Sequence, residues 1–338
     1  MSTPEVPGYT KKDFSSGLEV RWCPGCGDYA ILNAVQTAFA AMGVPRENFV
    51  IVSGIGCSSR FPYYMETYGI HGVHGRAPTL ATGIKLARPE LDVWVVTGDG
   101  DGLAIGGNHL MHALRRNVGL KILMFNNRIY GLTKGQYSPT SEQGKVTAST
   151  PLGSIDPPFE PLSLVLGAGA TFVARTADRF KGHLQEMIHR AARHRGAAFI
   201  EILQNCNIFN DGAWSQVTGK QERVDNVVYL EQGKPLRFGE DGCKALILEE
   251  CGRPKVVDWN DGADPRLIVH DETLASPSLA FLLSHLAPPE FPLPLGVLRD
   301  VSAPAFEDLH HEQIRRAEQS DSRDLAALLA GPSTWTVE

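Results

Sequence analysis

Four groups of residues in this chain have types and spacings that could do chemistry. In Gly98-Asp99-Gly100 a carboxylate sits between two glycines, and further along comes Asn126-Asn127. A carboxylate and a carboxamide are hard oxygen donors, and bare glycine backbone leaves room for a phosphate. Mg²⁺ asks for octahedral oxygen and is usually held by one or two side chains plus substrate phosphates, so Asp99 and Asn127 suit Mg²⁺ bridging a diphosphate. The carbonyl of Ile129, two residues on, could complete the shell. Taken alone, Gly-Asp-Gly is an ordinary turn and Asn-Asn an ordinary strand end.

The second group is cysteine. Cys23 and Cys26 form a CxxC in Arg21-Trp22-Cys23-Pro24-Gly25-Cys26-Gly27-Asp28, Cys57 closes Gly54-Ile55-Gly56-Cys57, and Cys206 closes Leu203-Gln204-Asn205-Cys206. Six cysteines in 338 residues are too sparse for a disulfide scaffold, so a CxxC with two distant cysteines points to a metal. Structural zinc and an iron–sulfur cluster both fit four thiolates. Spacing leaves the two open. Cys243 and Cys251 read as structural. The third group is His71-Gly72-Val73-His74-Gly75-Arg76, a loop with no helical face to align two histidines on a metal; His74 is either a satisfied structural histidine or a ligand contact. The fourth is Lys134, a cation shortly after the Mg²⁺ candidates and otherwise a solvated loop lysine.

These groups need elements that bring them together. Phe49–Val52, Val93–Val96, Ile122–Phe125 and Phe199–Leu203 read as buried strands. Ile31, Val35, Ala38 and Met42 repeat at helical spacing and stop at Gly43; Phe180, Leu184, Met187 and Ala191 do the same and stop at Gly196. Strands alternating with helices predict an α/β fold with a parallel sheet flanked by helices. Leu91 to Gly135 is one βαβ unit, with strands ending at Thr97 and Phe125 and a helix carrying Leu103, Gly107, Leu110 and Leu114 on one face. A further helix is expected near Pro78. Parallel strands place their C-terminal ends on one edge, which makes Asp99 and Asn127 neighbours and carries Cys57 and Cys206 to the same edge. Cys23 and Cys26 precede the first helix, whose N–H groups favour an anionic cluster.

The length and a hydrophobic content of 43% allow a sizeable core. With 32 Lys+Arg against 38 Asp+Glu the net charge is −6, and no basic stripe suggests a nucleic-acid partner. The opening MSTPEVPGYTKKDF lacks the apolar core of a signal peptide, and no segment reaches the roughly 18 apolar residues that span a bilayer, so a cytoplasmic location is expected. The organisation expected is an N-terminal arm (1–14), a cofactor domain (15–215) and a C-terminal extension (216–338) packed on the core or on a partner. The extension holds a Pro-rich stretch around Pro288-Pro289 and Pro292 to Pro294 and a charged, helix-like segment from Phe306 to Leu329.

Gly98-Asp99-Gly100 with Asn126-Asn127 resembles the motif of thiamine diphosphate enzymes. CPGCG, GIGC and LQNC together resemble the β subunit of 2-oxoacid:ferredoxin oxidoreductases, from about Gly17 to Gly212. Within that family Gly17-Leu18-Glu19-Val20-Arg21-Trp22 and Gly131-Leu132-Thr133-Lys134-Gly135-Gln136 look most similar to the 2-oxoglutarate type. The resemblance implies Mg²⁺ and thiamine diphosphate on Asp99, Asn127 and Ile129, and a [4Fe–4S] cluster on Cys23, Cys26, Cys57 and Cys206. It implies cofactor contacts from Gly56, Cys57, His74, Gly98, Gly100, Asp101, Gly131 and Leu132, and reaction roles for His74 and Lys134. The activity implied is reversible oxidative decarboxylation of a 2-oxo acid with coenzyme A, giving acyl-CoA and CO₂ and passing electrons to ferredoxin. An α subunit would carry the pyrimidine-side domain, in an assembly with two copies of each chain. Competing readings are pyruvate or another 2-oxo acid as substrate, a non-redox thiamine lyase with structural zinc, and a noncatalytic nucleotide-binding module.

Overall fold

The computed structural model describes residues 8–260, 262, 264–320, 324–335 and 337, apart from the side chains of residues 251 and 320. The expectation for Cys251 therefore lies outside the described side chains. In chain order the strands are β1 (Phe49–Ser53), β2 (Tyr68–His71), β3 (Asp92–Gly98), β4 (Leu120–Asn126), β5 (Phe172–Ala177), β6 (Ala198–Leu203), β7 (Val227–Tyr229), β8 (Arg237–Phe238), β9 (Lys244–Leu248), β10 (Pro254–Asp258) and β11 (Leu293–Asp300). Eight form one sheet in the order β2-β1-β3-β4-β6-β5-β11-β7, and β10-β9-β8 form a small second sheet. The pairings from β2 through to β5 are all parallel.

The main sheet is covered on both faces, which is why its central strands are continuous apolar runs. Side chains alternate between the faces. Val93, Val95, Ile122 and Met124 join one core, while Trp94, Val96, Leu123 and Phe125 join the other. On the second face lie α1 (Asp28–Ala41), through Ile31, Val35 and Phe39, and later the helix Lys181–Arg193, through Leu184, Met187 and Ile188. On the first lie α2 (Ala77–Ala87) and α3 (Gly107–Arg115). Pro78 falls in the first turn of α2, where its missing N–H costs nothing. Between β3 and α3 the chain makes a π-helical turn over Asp101–Ile105, a local widening of the kind found where side chains must be re-aimed.

Two features depart from the sequence pattern. β5 carries Arg175, which reads as a surface residue; it is buried because its Nε donates to Glu201 Oε2 of β6 at 2.6 Å. β11 lies in what reads as a Pro-rich stretch, yet it runs antiparallel to β5 and parallel to β7, so the chain beyond residue 215 extends the main sheet. Gly296 permits this: its φ is +131° and an added Cβ would stand 2.9 Å from Leu230 backbone. The charged segment near the C-terminus is a helix over Phe306–Ser320 and another over Leu325–Ala330, with residues 321–323 outside the description. At the other end Phe14 is fully buried, packed edge-on against Phe39 and Phe49, and ties the arm to the core. Among the described residues no helix is long and apolar enough to cross a membrane.

Candidate functional site

The C-terminal ends of β1, β3, β4 and β6 meet on one edge, as parallel strands require. There a cleft of about 500 Å³ collects Gly56, Cys57, His74, Gly98, Asp99, Gly100, Asp101, Asn127, Ile129, Gly131 and Leu132, all of the cofactor contacts named from sequence. Asp99 is buried at the tip of β3. Its Oδ2 accepts from Ser138 Oγ at 2.5 Å and from Thr140 Oγ1 at 2.6 Å. Burial pushes its carboxyl above the usual carboxylate range while the two hydroxyls pull it back, so a cation in the cleft would relieve the charge that burial penalises. Asn127 Oδ1 accepts the Ile129 N–H at 3.1 Å, a turn that holds the carboxamide and the Ile129 backbone together beside Asp99. A carboxylate, a carboxamide oxygen and a carbonyl are a hard-oxygen set, and they fit Mg²⁺.

Neighbouring groups have other tasks. Asn126 donates from Nδ2 to Glu201 Oε1 at 2.7 Å, and its carbonyl accepts from Trp214 Nε1 at 2.8 Å. It anchors the end of β4 and leaves Asn127 for the cleft. Gly100 must be glycine for packing: a Cβ there would stand 2.1 Å from the Tyr130 ring, whose hydroxyl donates to the Gly100 carbonyl. At Gly98 an added Cβ would meet only ordinary contacts, so the fold does not demand the bare backbone there. Asp101 lines the cleft, but its oxygens already accept from Thr97, Ile55, His74 and Gly75.

A second cavity of about 710 Å³ adjoins the first and is lined by Cys23, Cys26, Cys57 and Cys206. The two share Cys57, Asn127, Gly131 and Leu132 as walls. A Cβ on Gly131 would stand 3.6 Å from the Sγ atoms of both Cys57 and Cys206. Hydrogen bonds clip the cysteine loops together: Gly27 N–H donates to the Asn205 carbonyl at 3.1 Å, and the Asn207 side-chain Nδ2 donates to the Pro24 carbonyl at 2.7 Å. Gly27 has no room for a Cβ, which would fall 1.9 Å from Asp178 Oδ2. The Cys57 carbonyl accepts from Trp22 Nε1 at 2.7 Å. Burial pushes the Cys57 thiol up to about 12 and Cys26 further, and nearby Asp28, itself raised to about 7 by burial, adds to both. Metal binding at these thiols would release protons. Among the described residues no three His, Cys, Asp or Glu side chains gather closely enough to share one ion.

Lys134 lines the cysteine cavity, with a left-handed backbone at φ 75°. His74 stands in the wall of the cleft with its Nδ1 2.6 Å from Asp101 Oδ1. Cys243 is exposed and lines neither cavity. Sequence reasoning missed Ser138 and Thr140, the hydroxyls on Asp99, and Gln204, whose Nε2 donates to Cys26 Sγ at 3.3 Å. The run Ser138-Pro139-Thr140-Ser141 is rich in hydroxyls but has no periodicity to flag it.

Residues 54–202 match the family described as "Thiamine pyrophosphate enzyme, C-terminal TPP binding domain". The chain is 53% identical to the 2-oxoglutarate oxidoreductase subunit KorB of Mycobacterium tuberculosis over 97% of its own length and 88% of the relative's. It is 43% identical to the 2-oxoglutarate synthase subunit KorB of Methanocaldococcus jannaschii, over 70% of this chain and 90% of the relative. Among solved structures it is similar to a 2-oxoglutarate:ferredoxin oxidoreductase from Magnetococcus marinus with 2-oxoglutarate, coenzyme A and succinyl-CoA bound. That match has a TM-score of 0.77 and 33% identity, and it covers 97% of this chain and 98% of the other.

Proposed function

The chain belongs to the β subunits of the 2-oxoacid:ferredoxin oxidoreductases, and from that premise we propose that it forms, with an α subunit, an enzyme converting 2-oxoglutarate, coenzyme A and oxidised ferredoxin into succinyl-CoA, CO₂ and reduced ferredoxin, reversibly. Two electrons leave with each CO₂ and pass singly to the carrier. The observation that carries this reading is the shared wall of Cys57, Asn127, Gly131 and Leu132 between an oxygen-donor cleft and a four-cysteine cavity. Such a wall lets electrons released on one side be collected on the other.

Thiamine diphosphate, when bound, supplies the electron sink for loss of CO₂. The chain's own part is to hold and to orient. Asp99, Asn127 and Ile129 would hold Mg²⁺ on the diphosphate, with Ser138 and Thr140 fixing the carboxylate. Cys23, Cys26, Cys57 and Cys206 would hold a [4Fe–4S] cluster. Structural zinc and a cluster both take four thiolates, and the cavity's shared wall with the oxygen-donor cleft favours the one that can accept electrons. Lys134 is the cation assigned to the 2-oxo acid's carboxylate. The acid that activates thiamine is a glutamate in thiamine enzymes generally, and among the described residues no glutamate lines the cleft, so the reading assigns it to the α subunit, in a cytoplasmic assembly of two copies of each chain.

The test is anaerobic co-purification with the α subunit. The expected complex is brown, carries about four iron per β chain and reduces ferredoxin when given 2-oxoglutarate together with coenzyme A, and more slowly when pyruvate replaces 2-oxoglutarate. The β chain alone should show no turnover. Colourless protein with stoichiometric zinc, or turnover by the lone chain, would overturn the reading.

A further inference from the structure

We propose that Asp101 is a positioning residue that fixes the His74 imidazole as the Nδ1–H tautomer and leaves Nε2 as a proton acceptor in the wall of the cleft. The inference deepens the thiamine-dependent reading and rests on it for the identity of the substrates. Asp101 sits where the loops after β1 and β2 meet the helix start after β3. Its Oδ1 accepts from Ile55 N–H at 3.0 Å and from Gly75 N–H at 2.7 Å. Backbone N–H groups can only donate, so an oxygen facing two of them carries no hydrogen of its own. The third partner of that oxygen, His74 Nδ1 at 2.6 Å, must therefore bring the proton. An imidazole that bears a single hydrogen then carries it on Nδ1 and has its lone pair on Nε2.

The surroundings make this arrangement rigid. A Cβ on Gly54 would stand 2.1 Å from Asp101 Oδ2, and one on Gly75, whose φ is +69°, would stand 2.6 Å from the Gly106 nitrogen. Thr97 Oγ1 donates to Oδ2 at 2.6 Å. Two backbone N–H groups and a buried hydroxyl already satisfy the carboxylate as a loop fastener. His74 is its remaining partner, and this side chain, 38% exposed against 2% for Asp101, stands in the cleft wall beside Asp99 and Gly100. Among the described residues Nε2 makes no hydrogen bond, so it is available to a donor on a bound substrate.

The experiment begins with nitrogen NMR of the full chain labelled with ¹⁵N-histidine, without cofactor. The expected spectrum shows His74 protonated at Nδ1 and bare at Nε2; the opposite tautomer overturns the proposal. In the assembled enzyme saturated with thiamine diphosphate His74→Gln should lower kcat about 100-fold and Asp101→Asn about 10-fold, with the KM for 2-oxoglutarate within about 3-fold of the parent. A purely structural Asp101 would instead change cofactor affinity or thermal midpoint and leave kcat alone, and that outcome also overturns the proposal. Should Asp101→Asn fail to fold, the parent's tautomer and His74→Gln decide. A parent enzyme that binds the cofactor but turns over no 2-oxo acid would refute the functional reading, while the tautomer would still judge the Asp101–His74 assignment.

Discussion

The cleft at Asp99 and the cavity at the cysteines share a wall but are built on opposite terms. In the cleft burial also raises the Asp99 carboxyl, but there the polar groups already have partners that offset part of that penalty: two hydroxyls on Asp99, four donors on Asp101 and the Ile129 N–H on Asn127. In the cysteine cavity burial drives Cys26 and Cys57 away from the thiolate form, and the buried carboxamide oxygens of Gln204 and Asn207 find no hydrogen-bond partner among the described residues. A site of the first kind is preorganised by folding, and its ligand needs only to arrive. A site of the second kind is finished by its ligand, so its occupancy should feed back on stability.

The largest effect expected from this contrast is at Asp99. Asp99→Ala should weaken Mg²⁺-dependent thiamine diphosphate binding at least about 100-fold by titration of the assembled complex, because it deletes the only charged ligand in the oxygen set. Circular dichroism should remain that of the parent. Next, Cys206→Ser should abolish the brown colour and lower iron per chain while changing thiamine diphosphate affinity less than about 3-fold, since the preorganised cleft does not depend on its neighbour's ligand. A parallel collapse of cofactor affinity would show that the two regions are one cooperative unit.

Thiol reactivity measures the contrast directly. In cluster-free chain Cys23, which is exposed, should be alkylated at least about 10-fold faster at pH 8 than Cys57 or Cys26. The thiolate is the reactive form, and Cys57 is pushed up to about 12, so its labelling rate should keep climbing across the whole alkaline range toward that value. Metal loading should follow the same sign, favoured as pH rises because each ligand must shed a proton. Peptide mapping after timed labelling checks both. The smallest effect belongs to Ser138→Ala, which removes one of two hydroxyls from Asp99 and should cost about 1 kcal/mol of cofactor affinity, a factor of about 5 by titration.

The same contrast explains what could be read from the sequence. The cleft's proposed oxygen donors sit at strand ends, so β3 and β4 alone make Asp99 and Asn127 neighbours, and Cys57 and Cys206 follow β1 and β6. These positions are fixed by strand periodicity and by the rule that parallel strands share an edge. What escaped notice depends on pairing across the sheet or on loops. Arg175 hid β5 because its burial relies on Glu201 of the next strand, and Pro294 with the prolines before it masked β11, which Gly296 helps to accommodate. Ser138 and Thr140 lie in a loop without periodicity, and Asp101 looks like one more acid of a Gly-Asp repeat until the loops after β1 and β2 close on it.

The shared wall is the centre of the account, and rapid-freeze EPR of the anaerobic complex tests it most directly. Mixing cofactor-loaded enzyme with 2-oxoglutarate in the absence of ferredoxin should produce the signal of a reduced [4Fe–4S] cluster within a single turnover, and the Asp99→Ala complex, with its cluster intact, should remain silent. Release of CO₂ from 2-oxoglutarate with no cluster signal in the parent enzyme would contradict it.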